Sequence, residues 1–166
     1  MPKPDAAPTL DELDRKILER YQHDTRIPAQ TIGAEVGLSA AAVQRRLKRM
    51  RADGVITAEV AVLAPDHVGY PITCIVGVRL ERESRTENQR FKQRIVRNPC
   101  VQQCYSVTGD LDYVLVVLAR DMRDFEGFAE RELYADPNIK SFTTFVALDR
   151  VKTGAGVPID LPRKKR

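Results

Sequence analysis

The sequence predicts an α+β protein in two parts, a three-helix unit followed by a β-α-β-β-α-β unit. Two observations carry that expectation. Between Leu10 and Met50 apolar residues recur at helical spacing in three stretches, each closed by turn-forming residues. From Ile72 onward one pattern occurs twice: a continuous apolar stretch, an amphipathic helix stopped by Asn-Pro or Asp-Pro, and an alternating stretch.

The first helix is expected in "TLDELDRKILERYQ", with Thr9 as cap and Glu12 three residues later in capping-box spacing. Leu10, Leu13, Ile17, Leu18 and Tyr21 form its apolar stripe. "HDTRIP" breaks it, and Pro28 suits the start of a short second helix over about Ala29 to Val36. Gly37 ends that helix with a residue that tolerates positive φ. Ser39 then caps a third helix in which Val43, Leu47 and Met50 share one inward arc.

In the second part, "ITCIVGVRL" and "DYVLVVLA" are nearly continuous apolar strands, which belong at the buried centre of a sheet. "VQQCYSVTG" and "IKSFTTFVALD" alternate and belong toward the edges. "TENQRFKQRIVRNP" places Phe91, Ile95 and Val96 inward, and "DMRDFEGFAERELYADP" places Phe125, Phe128, Ala129 and Leu133 on one face. The order is the ferredoxin-like split βαβ plan. The expected boundaries are a disordered N-terminus at 1–8, the three-helix unit at 9–57, a strand and linker at 58–70, the βαββαβ unit at 71–152 and a basic segment at 153–166.

Composition excludes several classes. Hydrophobic content of 43% and charged content of 30% describe a globular chain. No apolar run approaches the roughly 18 residues of a membrane span, and "MPKPDAAPTL" lacks the apolar core of a signal peptide, so a cytoplasmic location is expected and no membrane partner. Cys74, Cys100 and Cys104 have neither disulfide nor zinc spacing, and His23 and His67 lie far from them; no metal and no cofactor is expected. A phosphate-cradling glycine loop, HExxH and GxSxG are all missing, so the chain does not read as an enzyme.

The net charge of +4 equals that of "RKKR" at residues 163–166 alone, so its size says little about partners. Its clustering says more: Ser39 to Ala52 holds five cations and no anion. The arc opposite Val43, Leu47 and Met50 carries Ala41, Gln44, Arg45, Lys48 and Ala52, flanked by Arg46, Arg49 and Arg51. Small residues at the helix start admit a close approach to double-stranded DNA. Gln and Arg pair adenine and guanine edges in the major groove, and the other cations neutralise phosphates. Small Gly33, Gly37 at the turn and inward Val43 fit a helix-turn-helix.

Four stretches, "LDELDRKIL", "VGLSAAAVQRRLKRMRADGVI", "VTGDLDYVLVV" and "FTTFVALDRVKTG", together resemble the leucine-responsive/asparagine-regulator (Lrp/AsnC) family of prokaryotic transcription regulators, over about residues 10–154. The resemblance implies a winged helix-turn-helix joined to a ferredoxin-like domain that senses ligands and forms oligomers. It implies dimers and larger even assemblies such as octamers, with an amino acid as effector. Ser39, Arg45, Arg46 and Arg49 match the family's recognition-helix positions; Ala40, Ala41 and Ala42 replace a start that often holds Pro or Thr. With the arc described above, the DNA-contacting set is Ser39, Ala41, Gln44, Arg45, Arg46, Lys48 and Arg49.

The stretch "TGDLDY" is expected to be a tight hairpin whose exposed amides suit a carboxylate, with Asp110 and Asp112 suited to an ammonium group. The resemblance puts an effector site beside this loop, at Thr108, Gly109, Asp110 and Asp112, on a subunit interface. The rival reading is an architectural DNA-binding protein that senses no ligand.

Overall fold

The computed structural model describes residues 9–82, 84–154 and 156–159. They form two compact units, one of residues up to Ala61 together with the segment from Thr153, the other Val62–Lys152. The expectations for residues 1–8 and for the "RKKR" cluster fall outside the described residues.

In the first unit α1 (Glu12–Tyr21), α2 (Ala29–Val36) and α3 (Ala40–Ala52) enclose a core of Ile17, Leu18, Tyr21, Ile32, Val43, Leu47 and Met50. The inward stripe of the third helix is the expected one. On the first, Ile17, Leu18 and Tyr21 are buried and Leu10 packs against them as expected. Leu13 is only partly buried and does not join that core, and Asp14 is buried in the stripe instead. The cap of α1 differs. Asp11, not Thr9, is the N-cap, and the reciprocal partner is Asp14, each side chain accepting the other's backbone N–H at 2.7 and 3.1 Å. The helix therefore starts two residues further on than Thr9 would place it.

Two glycines make the turn between α2 and α3. Gly37 sits at φ 75°, the left-handed conformation that ends α2. Gly33 is needed for closeness: a Cβ there would lie 2.4 Å from the Leu38 carbonyl oxygen. Ser39 caps α3 as expected, its Oγ accepting the Ala42 N–H at 3.2 Å.

The strand expected within residues 58–70 is absent. These residues carry only a 3₁₀ turn at Pro65–Val68, and no β-hairpin wing follows α3 among the described residues of the first unit. Val60 and Val62 alternate as a strand would, yet they are 77% and 89% exposed. An extended segment gains ladder hydrogen bonds only beside another strand, and the single chain offers it none.

The second unit has the expected order. β1 (Ile72–Leu80), α4 (Arg85–Arg97), β2 (Val101–Ser106), β3 (Tyr113–Ala119), α5 (Met122–Ala129) and β4 (Ile139–Val146) form a four-stranded antiparallel sheet ordered β2-β3-β1-β4. The two continuous apolar strands are central. Cys74, Val76, Val78, Leu115 and Val117 point to the helix-covered face, where they meet Phe91, Ile95, Phe125, Phe128 and Leu133. One inward expectation is corrected: Val96 is 81% exposed. It is adjacent to Ile95, and 100° of rotation per residue carries it off the buried arc. α5 runs on through a π turn at Glu130–Tyr134, which buries Leu133.

No helix among the described residues is long and apolar enough to cross a membrane.

Candidate nucleic-acid interface and effector loop

The outward arc of α3 carries Ala41, Gln44, Arg45 and Lys48, all exposed, with Ser39 exposed at its start. Among the described residues neither Arg45 nor Lys48 has an ion-pair or hydrogen-bond partner. Ala40 and Ala41 present no bulk at the helix start. An anion or base edge can therefore approach the first-turn N–H groups directly.

The other cations of α3 are held inside the unit. Arg46 reaches α1, where its guanidinium donates to Asp11 at 2.6 Å and to Asp14 at 2.8 Å, and it is only 21% exposed. Arg49 pairs with the same Asp14 carboxylate and reaches Asp53 at 3.9 Å. Arg51 donates to Glu59 at 2.7 Å and to the Tyr21 hydroxyl at 2.8 Å. Charge clustering in the sequence had placed Arg46 and Arg49 with the DNA-contacting residues; the structure gives both a second job, bracing α3 against α1.

The brace turns on Asp14, a fully buried carboxylate that the sequence reading passed over. A buried carboxylate costs several kcal/mol unless it is paired. Here two guanidiniums and the Asp11 N–H satisfy it. The Asp14 N–H and the Arg46 guanidinium hold the Asp11 carboxyl below its ordinary value of 3.8. The signal was available: Asp14 lies four residues after Leu10 and three before Ile17, on the apolar stripe, and an acid there calls for a buried cation.

In the second unit the connection between β2 and β3 is longer than the tight hairpin expected. Val107 N–H donates to the Asp112 carbonyl at 3.0 Å, leaving four residues, 108–111, in the turn. Leu111 folds down onto the face of the sheet opposite the helices, over Gly77; a Cβ at Gly77 would lie 2.7 Å from Leu111 Cδ1. Thr108, Gly109 and Asp110 are exposed, with Gly109 at φ 113°. The Asp110 carbonyl accepts from Arg79 Nε at 2.8 Å, and its carboxylate has no partner among the described residues.

Asp112 is engaged differently. The register of β1 against β4 slips between Arg79 and Leu80, and the Asp112 carboxylate accepts the Leu80 N–H at 2.7 Å. Of the four loop residues named from sequence, Asp112 ties the loop to β1, whereas Thr108, Gly109 and Asp110 face solvent.

Among the described residues, helices cover one side of the sheet. Its other side presents Ile75, Val114, Val116 and Leu118 with Tyr105 and Phe145, the last two 54% and 62% exposed.

Comparison with known proteins places both units. Residues 10–51 match the AsnC-type helix-turn-helix domain and residues 73–157 the Lrp/AsnC ligand binding domain. An HTH-type transcriptional regulator of Sinorhizobium fredii is 44% identical over 95% of this chain and 93% of its own. The leucine-responsive regulatory protein of Rhizobium meliloti is 31% identical over 90% of this chain and 96% of its own. Among solved structures, an AsnC family transcriptional regulator from Agrobacterium tumefaciens superposes with a TM-score of 0.83 at 32% identity, covering 90% of this chain and 97% of that one. A transcriptional regulator from Neisseria meningitidis, solved as a complex with L-Met, superposes with a TM-score of 0.84 at 26% identity, covering 92% and 98%.

Proposed function

The chain belongs to the Lrp/AsnC family of DNA-binding transcription regulators, and from that premise we propose how its own residues perform the role. α3 enters the major groove with Gln44 and Arg45 toward base edges, while Ser39, Ala41 and Lys48 lie against the backbone. Arg46 and Arg49 act chiefly by holding α3 in place on Asp14, and Arg49, half exposed, also adds positive potential. The observation that carries this reading is the division of labour on one helix: Arg46 and Arg49, paired with Asp14, brace it, and Gln44, Arg45 and Lys48, without partners among the described residues, face outward.

An amino acid is the effector, bound beside Thr108, Gly109 and Asp110, with loop amides toward its carboxylate and Asp110 toward its ammonium. Asp112 keeps the loop in register for that contact. The relative solved with L-Met supports this choice of ligand class. The protein works in the cytoplasm, by binding and without a catalytic step.

Two copies pair through the open side of the sheet, which would otherwise leave Tyr105 and Phe145 in water. A dimer sets two α3 helices a whole number of DNA turns apart, so the operator is near-palindromic. Larger even assemblies such as octamers are built from that dimer.

Selection of bound fragments from a random duplex library tests the reading. A near-palindromic consensus supports it, and enrichment without any consensus would leave an architectural role. Screening the twenty amino acids by thermal shift tests sensing, and light scattering at micromolar concentration tests assembly. A monomer there would remove the dimer.

A further inference from the structure

The two helices that cover the sheet differ in what they show to solvent. α5 and the π turn that continues it expose Arg123, Glu126, Glu130 and Arg131, a mixture of signs as on an ordinary solvated face. α4 exposes Arg85, Arg90, Lys92 and Arg97, with Gln89 and Gln93 between them and no exposed acid. Its one carboxylate, Glu87, is half-buried and pairs with Arg90 at 2.9 Å. Arg85, Lys92 and Arg97 have no ion-pair or hydrogen-bond partner among the described residues; Lys92 Nζ lies 5.9 Å from the centre of the Tyr113 ring. Arg85 is the first residue of the helix, where the macrodipole disfavours a cation, so helix stability does not account for it.

The cations fall in two rows. Arg85 and Lys92 are seven residues apart, as are Arg90 and Arg97, so each pair is stacked two turns along the helix. At about 100° per residue the rows stand about 140° apart, with Gln89 and Gln93 on the strip between them. A helix with its side chains is about 10–12 Å across, and the major groove of DNA is about 12 Å wide. A helix lying along that groove sets one row against each phosphate edge and the strip between them toward the bases. Arg85 to Arg97 spans about 18 Å, over which a duplex carries about ten phosphate charges. Such a contact needs no particular base sequence.

We propose that the outward face of α4 is a second DNA-binding surface, which takes the major groove of duplex beside the site read by α3. The proposal rests on the DNA reading above and adds to it a contact made by the other unit. The duplex is the favoured occupant because α3 already holds it on the same chain, which raises its effective concentration at α4.

Fluorescence anisotropy of the full chain, titrated across sodium chloride concentrations, tests it on two duplexes, one limited to the operator and one extended on both sides. Each phosphate contact contributes about −0.9 to the slope of log K against log salt. Replacing Arg85, Arg90, Lys92 and Arg97 together by Gln removes the charge and keeps the helix propensity. It should flatten the slope on the extended duplex by at least about 2 and leave the short duplex unaffected. All four side chains are exposed, and circular dichroism confirms that the variant is folded. Replacing Arg123 and Arg131 by Gln, two cations lost beside α4, should leave both slopes as in the wild type. A wild-type slope for the α4 variant on the extended duplex would overturn the proposal. So would equal flattening on both duplexes, or flattening by the Arg123 and Arg131 variant, since the charges would then act only through the overall field. If the unaltered chain bound neither duplex at any salt concentration, the DNA reading itself would fail, a separate outcome.

Discussion

Replacing Asp14 by Asn removes one negative charge while keeping the side chain's shape and one acceptor oxygen. In the folded chain that carboxylate receives the Arg46 guanidinium at 2.8 Å, the Arg49 guanidinium and the Asp11 N–H, and it is wholly buried. A hydrogen bond to a charged partner is worth about 1.5–3 kcal/mol, and Arg46, 21% exposed, counts nearly in full. Arg49 is 47% exposed, and solvent screening reduces its share by more than half. The Asn amide retains the Asp11 contact. The sum is about 2–4 kcal/mol lost from the first unit. Hydrogen exchange followed by mass spectrometry reads it locally, because α3 amides should exchange roughly 30- to 800-fold faster while β3 amides do not change. Loss of less than about 0.5 kcal/mol would refute the bracing role of Asp14, since it would mean that water replaces the carboxylate at no cost.

Gly33→Ala places a Cβ 2.4 Å from the Leu38 carbonyl oxygen, a backbone atom, and should cost about 1–3 kcal/mol with loss of DNA binding in proportion to folding; a thermal melt like that of the wild type would show that the turn has slack. Asp112→Ala orphans the N–H of buried Leu80 and should cost about 1–2 kcal/mol, seen as faster exchange at Leu80 and loss of any amino-acid-dependent thermal shift. Unchanged exchange at Leu80 would show that the bulge needs no side-chain acceptor.

Residue spacing was a good guide wherever one period decided the outcome. Val43, Leu47 and Met50 sit inside as their spacing requires, and the continuous apolar strands from Ile72 and Tyr113 are the central pair of the sheet. It served less well where a partner decides. Residues 58–70 have strand-like alternation and form no strand, because a ladder needs a neighbour that the single chain does not supply. Charge clustering and the family resemblance put Arg46 and Arg49 in the DNA-contacting set, and neither shows what lies across from them in the fold: Asp14 stands thirty-two residues before Arg46. Asp112 is similar: its acceptor role is set by a register slip between β1 and β4 that is invisible in the loop's own residues.

The division of labour on α3 is tested most directly by comparing Arg45→Ala with Arg46→Ala on the selected operator and on a scrambled duplex at one salt concentration. Arg45→Ala should keep the wild-type melting temperature and weaken operator binding by about 1–3 kcal/mol, with a much smaller effect on the scrambled duplex. Arg46→Ala should lower the melting temperature and weaken both duplexes alike. A folded Arg45→Ala protein that binds its operator as tightly as the wild type would contradict the assignment of α3 as the reading helix.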